Sequence, residues 1–460
     1  MRRFAFVVAC LFPAVACFTG SGSNNTNPDA SAGGVTFYKD VAPILQNTCQ
    51  HCHVPGGVAP FPLVTYDDAK ANAAGMVADT QARIMPPWGA QSTSECTPRF
   101  PWKNDIRLSD AQIATIKAWH DGGDVAGNPA DAPPPSTTPP VTDLPNATSL
   151  TPAVPYTLTQ TGDYFRCFVL DPNITATGTY LTGTFIKPGN TTIVHHALIF
   201  SAPASATIPP STDGVPNQYD CFGDSGVSGA ELVAAWAPGG TPQQYPAGVG
   251  HPLAAGSKFI MQIHYHPHSN ATSTPDATTF QFATTTTKPA WTVGTALLGN
   301  YAKAVNNGTG LENPPFSIPP DTANQVFTMD STAPAAIPIT LRILSVLPHM
   351  HLVGSDIKVT VDRAAPDANN PASECLVQVP SWNFNWQRNY QYDVDVSSLP
   401  TIGPGDTIKV RCTYDNTTSN APLMQALSEK GLTQTQIVTL GETTLDEMCL
   451  GGFWYVYPTP

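Results

Sequence analysis

The chain has 460 residues, too many for a single hydrophobic core, so two or three domains are expected. A formal net charge of −13 with only 12% charged residues argues against a nucleic-acid partner and against binding to an anionic lipid surface. Abundant Pro, Thr, Gly and Val with few Lys and Glu is the composition of a mainly β protein with a few local helices.

Met1-Arg2-Arg3 and the apolar run at 4–15 form the charged and hydrophobic regions of a secretory signal, too short to span a bilayer. Ala14-Val15-Ala16-Cys17 resembles a bacterial lipobox, with Ala14 where Leu is usual; Cys17 would then be lipidated and become the new N-terminus. Residues 18–34, rich in Gly, Ser and Asn, read as a flexible tether. The expectation is an exported bacterial protein, periplasmic or at the outer membrane or cell surface, that meets a membrane only through this anchor.

Residues 35–124 are the helical part. Phe37, Val41, Ile44 and Leu45 share one helical face, and the run ends at Cys49-Gln50-His51-Cys52-His53. Two cysteines at this spacing can form thioether bonds to a porphyrin, while His53 reaches the iron from the same turn. A disulfide or zinc pair needs no histidine directly after the second cysteine. For the sixth iron ligand, Met85 sits in the loop Arg83-Ile84-Met85-Pro86-Pro87-Trp88, stiffened by two prolines. Met76 competes, but Thr65 and Asp68 mark a helix start that places Met76 inside a helix, where methionine usually packs in the core. Ser109 and Gln112 form a second capping box, opening a helix with Ile113, Ile116 and Trp119 inward and Gly122-Gly123 as its stop. This region is similar to small bacterial cytochromes c, which implies a c-type haem and an electron carrier.

Residues 125–150, rich in Pro, Ala, Ser and Thr, read as a linker with a reach of about 30 Å if flexible, enough for the helical domain to dock on the rest of the chain. From 151 onward, short β-rich runs alternate with Gly, Pro and Asn turns, as in antiparallel sandwiches divided at 151–311 and 312–460. His195 and His196 are neighbours, and on a regular strand they would point to opposite faces, so both can bind one ion only at a bulge or a strand end. His264 lies further along on another strand, where it shares a face with Gln262. His266 and His268 read as loop histidines. In Leu347-Pro348-His349-Met350-His351, the two imidazoles are two residues apart and leave one face of a strand. Met448 lies in Asp446-Glu447-Met448-Cys449. Imidazoles with a thioether, without a thiolate or carboxylate cluster, suit copper better than zinc or magnesium.

Taken in order, Val194-His195-His196, Ala235-Trp236-Ala237-Pro238, Ala247-Gly248-Val249-Gly250, Gln262-Ile263-His264-Tyr265, His349-Met350-His351 and Asp446-Glu447-Met448-Cys449 resemble the copper type II, ascorbate-dependent monooxygenases. The resemblance implies two jelly-roll domains, each holding one copper ion, facing each other across a solvent-filled cleft. His195, His196 and His264 would hold an electron-transfer copper. His349, His351 and Met448 would hold the catalytic copper that meets dioxygen, for hydroxylation of a C–H bond. It also implies the disulfides Cys412–Cys449 and Cys167–Cys221. Cys96 and Cys375 are left over; a bond between them would tie the helical domain to the second copper domain, and their pairing stays open. Peptide-amidating members carry an arginine where Leu347 stands and further carboxylate contacts at the positions of Leu450 and Gly452, so a C-terminal glycine peptide is not the expected substrate.

The leading expectation is an exported copper monooxygenase acting on a small organic substrate with dioxygen, its electrons relayed by the fused haem from an external donor. The alternatives are a non-enzymatic redox or copper-holding protein, and a surface-binding sandwich displayed by a cytochrome.

Overall fold

The computed structural model describes residues 34–55, 59–134, 143–160, 162–238, 240–267, 275–300, 316–335 and 339–460. The signal, Cys17, nearly all of the tether, Pro139-Pro140 and His268 lie outside the described residues. Among those described, no helix is long and apolar enough to cross a membrane.

Helical turns at Phe37–Val41 and Ala42–Asn47 bury Phe37, Val41, Ile44 and Leu45, the face that their three-and-four spacing selects. Both capping boxes form: Thr65 with Asp68 opens Tyr66–Ala71, and Ser109 with Gln112 opens Asp110–Asp121. Met76 lies in the helix Ala73–Gln81 and packs with Leu63, Leu108, Ile116 and Trp119 in one small core. The start of the expected linker belongs to this unit, since Val125 and Ala126 carbonyls accept from the Phe37 and Tyr38 amides at 2.9 and 3.1 Å. Its end belongs to the β half: Leu144 is buried, and Thr148–Leu150 pairs with Thr279–Thr285.

The β half is mainly antiparallel. A five-stranded sheet runs Gln218–Asp220, Tyr164–Leu170, Lys258–Tyr265, Val194–Ala202, Glu231–Trp236. A four-stranded sheet runs Thr322–Thr332, Thr407–Asn416, Gly354–Asp362, Ser373–Val379. In Thr407–Asn416 burial alternates residue by residue, the signature of one face turned to a core. A ten-stranded sheet is shared by both halves. Trp291–Gly299, on the first side of the expected boundary, pairs over its nine residues with Leu450–Pro458, and also runs parallel to Val249–Leu253. Backbone pairing, which composition does not record, carries the sheet across that boundary.

Residues 86–107 lie as a strap on the second half. Gln91 donates to the Gln378 carbonyl and Lys103 to that of Gln391, Trp102 stacks on Tyr392 at 4.8 Å, and Cys96 is bonded to Cys375. Glu95 accepts from Lys358 and Arg411, and Arg99 donates to Glu374. The other disulfides are Cys167–Cys221 and Cys412–Cys449.

Candidate metal centre

Val194 pairs with Tyr265 and His196 with His264, so one extra residue, His195, is inserted between them. This bulge removes the geometric difficulty of neighbouring histidines, because the local kink brings both rings to one side. Candidate ligand atoms of His195, His196 and His264 lie within 4.8 Å of one another. The nitrogens that meet are Nδ1: His195 to His196 is 3.2 Å, and His264 to His196 is 3.4 Å. His264 Nε2 donates to Asp163 Oδ1 at 3.0 Å, which fixes the tautomer and leaves its Nδ1 with a bare lone pair. Phe165 stacks flat on His264 at 4.3 Å. Burial lowers the pKa of all three rings, so they are neutral near pH 7 and able to take a cation.

Asp163 is the residue that sequence reasoning missed. Its carboxylate also accepts from His266 Nδ1 at 2.6 Å, the Thr444 hydroxyl at 2.8 Å and the Thr444 amide at 3.0 Å. Burial alone would raise its pKa, but the His264 and His266 hydrogen bonds hold it far below the usual carboxylate range. His266, read from the sequence as a loop histidine, therefore sits one hydrogen bond from a carboxylate that orients a candidate ligand.

The strand Leu341–His349 ends at its first histidine, so His351 lies just past it and not on a continued strand. The cause is the buried Glu447 carboxylate, which takes the His351 amide at 2.5 Å and the Met448 amide at 2.8 Å in place of a ladder partner. Burial pushes Glu447 up to about 8, opposed by the surrounding amides. The His349 and His351 rings are 5.0 Å apart, with Met350 turned into the core between them. His349 Nδ1 donates to Gln387 Oε1 at 2.6 Å and His351 Nδ1 to the Asp446 carbonyl at 3.1 Å, leaving Nε2 free on both. Met448 is buried, and its carbonyl accepts from Tyr414 at 2.8 Å. The two histidine groups thus offer opposite ring nitrogens.

Among the described residues, the solvent-filled cleft implied by the resemblance is replaced by direct contact. The His196 and His349 ring centroids are 6.4 Å apart, and Phe384 stacks on His195 at 4.2 Å while its edge meets His351 at 6.0 Å. Aromatic packing and the Asp163–Thr444 hydrogen bonds draw the two halves together.

In the helical domain, Cys49 and Cys52 are unpaired thiols, and burial pushes Cys49 up to about 12. His53 Nδ1 donates to the Phe61 carbonyl at 2.9 Å, leaving Nε2 free. Met85 lines a cavity of about 250 Å³ with Trp88, Arg107, Leu108 and Ile113; Cys49, Cys52 and His53 are not among its walls.

Residues 152–272 match the family model "Copper type II ascorbate-dependent monooxygenase, N-terminal domain". The chain is similar to DBH-like monooxygenase protein 2 of Mus musculus, 24% identical over 285 residues that cover 58% of this chain and 39% of that protein. It is also similar to tyramine beta-hydroxylase of Caenorhabditis briggsae, 22% identical over 284 residues, covering 60% of this chain and 41% of the relative. The chain thus spans about two fifths of the length of these curated relatives. The structure of PNGF-II aligns over 68% of this chain and 66% of its own with a TM-score of 0.28 and 7% identity, a level that establishes no shared fold. The domain match and the relatives support the copper type II, ascorbate-dependent monooxygenase family for this chain.

Proposed function

We propose that this protein is an exported copper-dependent monooxygenase that hydroxylates a C–H bond of a small organic substrate with dioxygen, its electrons arriving through a c-type haem on the helical domain. The observation that carries the reading is the convergence of three Nδ1 atoms at His195, His196 and His264 beside His349 and His351, whose Nδ1 atoms are engaged so that Nε2 is free. The donor sets fit copper: neutral imidazoles in one group, and imidazoles with the thioether of Met448 in the other. Copper there would supply dioxygen reduction and one-electron transfer, and a haem held by Cys49, Cys52 and His53 would supply electron delivery; Met85 lines a cavity that these three residues do not.

The chain's own residues do the rest. Asp163 orients His264, Gln387 orients His349, and the Asp446 carbonyl orients His351, each by holding the ring N–H that does not face the metal. Glu447 ties the His351 and Met448 amides to one carboxylate, which fixes the two backbone positions relative to each other. Phe384 lies between the groups, against the rings of His195 and His351. Leu347 pairs with Gly452, an uncharged spot that supports an apolar substrate over a carboxylate-bearing one.

A second reading, a copper-holding or redox protein with no organic substrate, is favoured by the closed gap between His196 and His349. Dioxygen uptake by the copper-loaded, reduced protein separates them. Uptake that rises with an added apolar substrate and yields a hydroxylated product supports the monooxygenase; uptake that no substrate changes supports the second reading.

A further inference from the structure

The carboxylate that orients His264 is gripped by a residue of the other half. The Thr444 hydroxyl donates to Asp163 Oδ1 at 2.8 Å and the Thr444 amide donates to Oδ2 at 3.0 Å, one bond to each oxygen. Two bonds from one residue fix the rotation of the carboxylate plane, which a single bond leaves free. His264 depends on that rotation, because its Nε2 donates to Oδ1 at 3.0 Å. His266 Nδ1 competes for the same oxygen at 2.6 Å and lies 3.2 Å from the Thr444 hydroxyl. Thr444 is itself held firmly. It is 3% exposed, in a turn where Asp446 Oδ2 accepts from the Thr443 amide at 3.1 Å and the Thr443 hydroxyl at 2.7 Å. The Asp446 amide returns to the Thr443 carbonyl and the Glu447 amide to that of Thr439, both at 3.0 Å. The same turn holds His351, whose Nδ1 donates to the Asp446 carbonyl at 3.1 Å. It is therefore a stiff part of the second half, fastened to the His349 group independently of Asp163.

We propose that Thr444 is a positioning residue for the triad of the other half: it sets the Asp163 carboxylate, and through it the direction of His264 Nδ1, so the triad holds its metal tightly only while the second half is seated on it. The inference rests on the reading that His195, His196 and His264 bind copper. Movement of the turn away from Asp163 removes both Thr444 bonds at once and leaves the carboxylate to be turned by His266. Copper at the triad and seating of the second half then favour each other, since a ligand that binds one arrangement better shifts the population toward it. The hydroxyl is the part that a substitution can remove. Serine keeps both donors, whereas valine has the shape of threonine and keeps only the amide.

The test uses the full chain, freed of metal and titrated with Cu(II) against a competing chelator, with the two sites told apart by paramagnetic resonance. No copper at the triad would remove the underlying reading and this inference with it. Where copper binds, Thr444→Val should weaken the triad by about fivefold, alter its resonance signal and leave the His349 site as it was. Thr444→Ser should restore affinity and signal together. A second readout is deuterium exchange of the segment 440–448 in His349→Ala, where the triad is the site left to fill. Saturating copper should slow that exchange several-fold, and the response should vanish in the double variant with Asp163→Ala. A Thr444 that only stabilises the fold would lower the melting temperature and move neither readout. Full triad affinity in a folded Thr444→Val protein, or exchange at 440–448 that does not respond to copper at the triad, would overturn the proposal.

Discussion

Which nitrogen a histidine leaves free is decided by what holds the other one. At His264 the holder is Asp163, at His349 it is Gln387, and neither residue belongs to any local motif. Replacing Asp163 with Asn keeps the volume but removes the charge shared by His264 and His266. Copper affinity at the triad should fall by about 10–100-fold while the His349 site is unchanged, as read by copper titration of the full chain. Gln387→Leu should do the converse. The ligand candidates themselves were legible from spacing, since His349-Met350-His351 and Cys49–His53 announce their chemistry within a few residues. Asp163 was not, because a single aspartate 101 residues before its partner has no pattern to be read. His266 lies in the loop after the strand Lys258–Tyr265, as its sequence reads, but its hydrogen bond to Asp163 was illegible for the same reason.

At the scale of elements, the bulge at His195 and the early end of the strand at His349 convert ordinary strands into holders of two rings each. The Cys412–Cys449 bond fastens the strand Thr407–Asn416 to the residue after Met448. Its removal by a double Cys→Ser change should lower stability by about 2–4 kcal/mol in urea unfolding and loosen the His349 site before the triad. The strap 86–107 carries a pH signature. Lys358 and Arg411 hold Glu95 down to about 2 in the folded chain, against an ordinary value of 4.5. A depressed carboxylate contributes stability above its unfolded pKa and loses it as pH falls. The melting temperature of the native chain should therefore exceed that of Glu95→Gln above pH 4.5, and the difference should shrink as pH falls toward about 2 and as salt is added. Helices with capping boxes were legible at Thr65 and Ser109 because all their signals lie within four residues. The strap was not, since its partners Gln378, Gln391 and Cys375 are far along the chain and become neighbours only in the folded state.

At the scale of the whole molecule, the two halves share one sheet and close on each other at the histidines, and the helical domain is bonded to the second half. The mainly β composition was readable from Pro, Thr, Gly and Val, but a sheet that crosses the boundary arises from pairing register, which one sequence does not display. The measurement that tests the account most directly is the copper and haem content of the full chain, with paramagnetic resonance of the copper-loaded form and of His195→Ala and His349→Ala. The account predicts one haem and two distinguishable non-blue coppers per chain, one lost in each variant. No tightly bound copper, or a single copper lost in both variants alike, would contradict it.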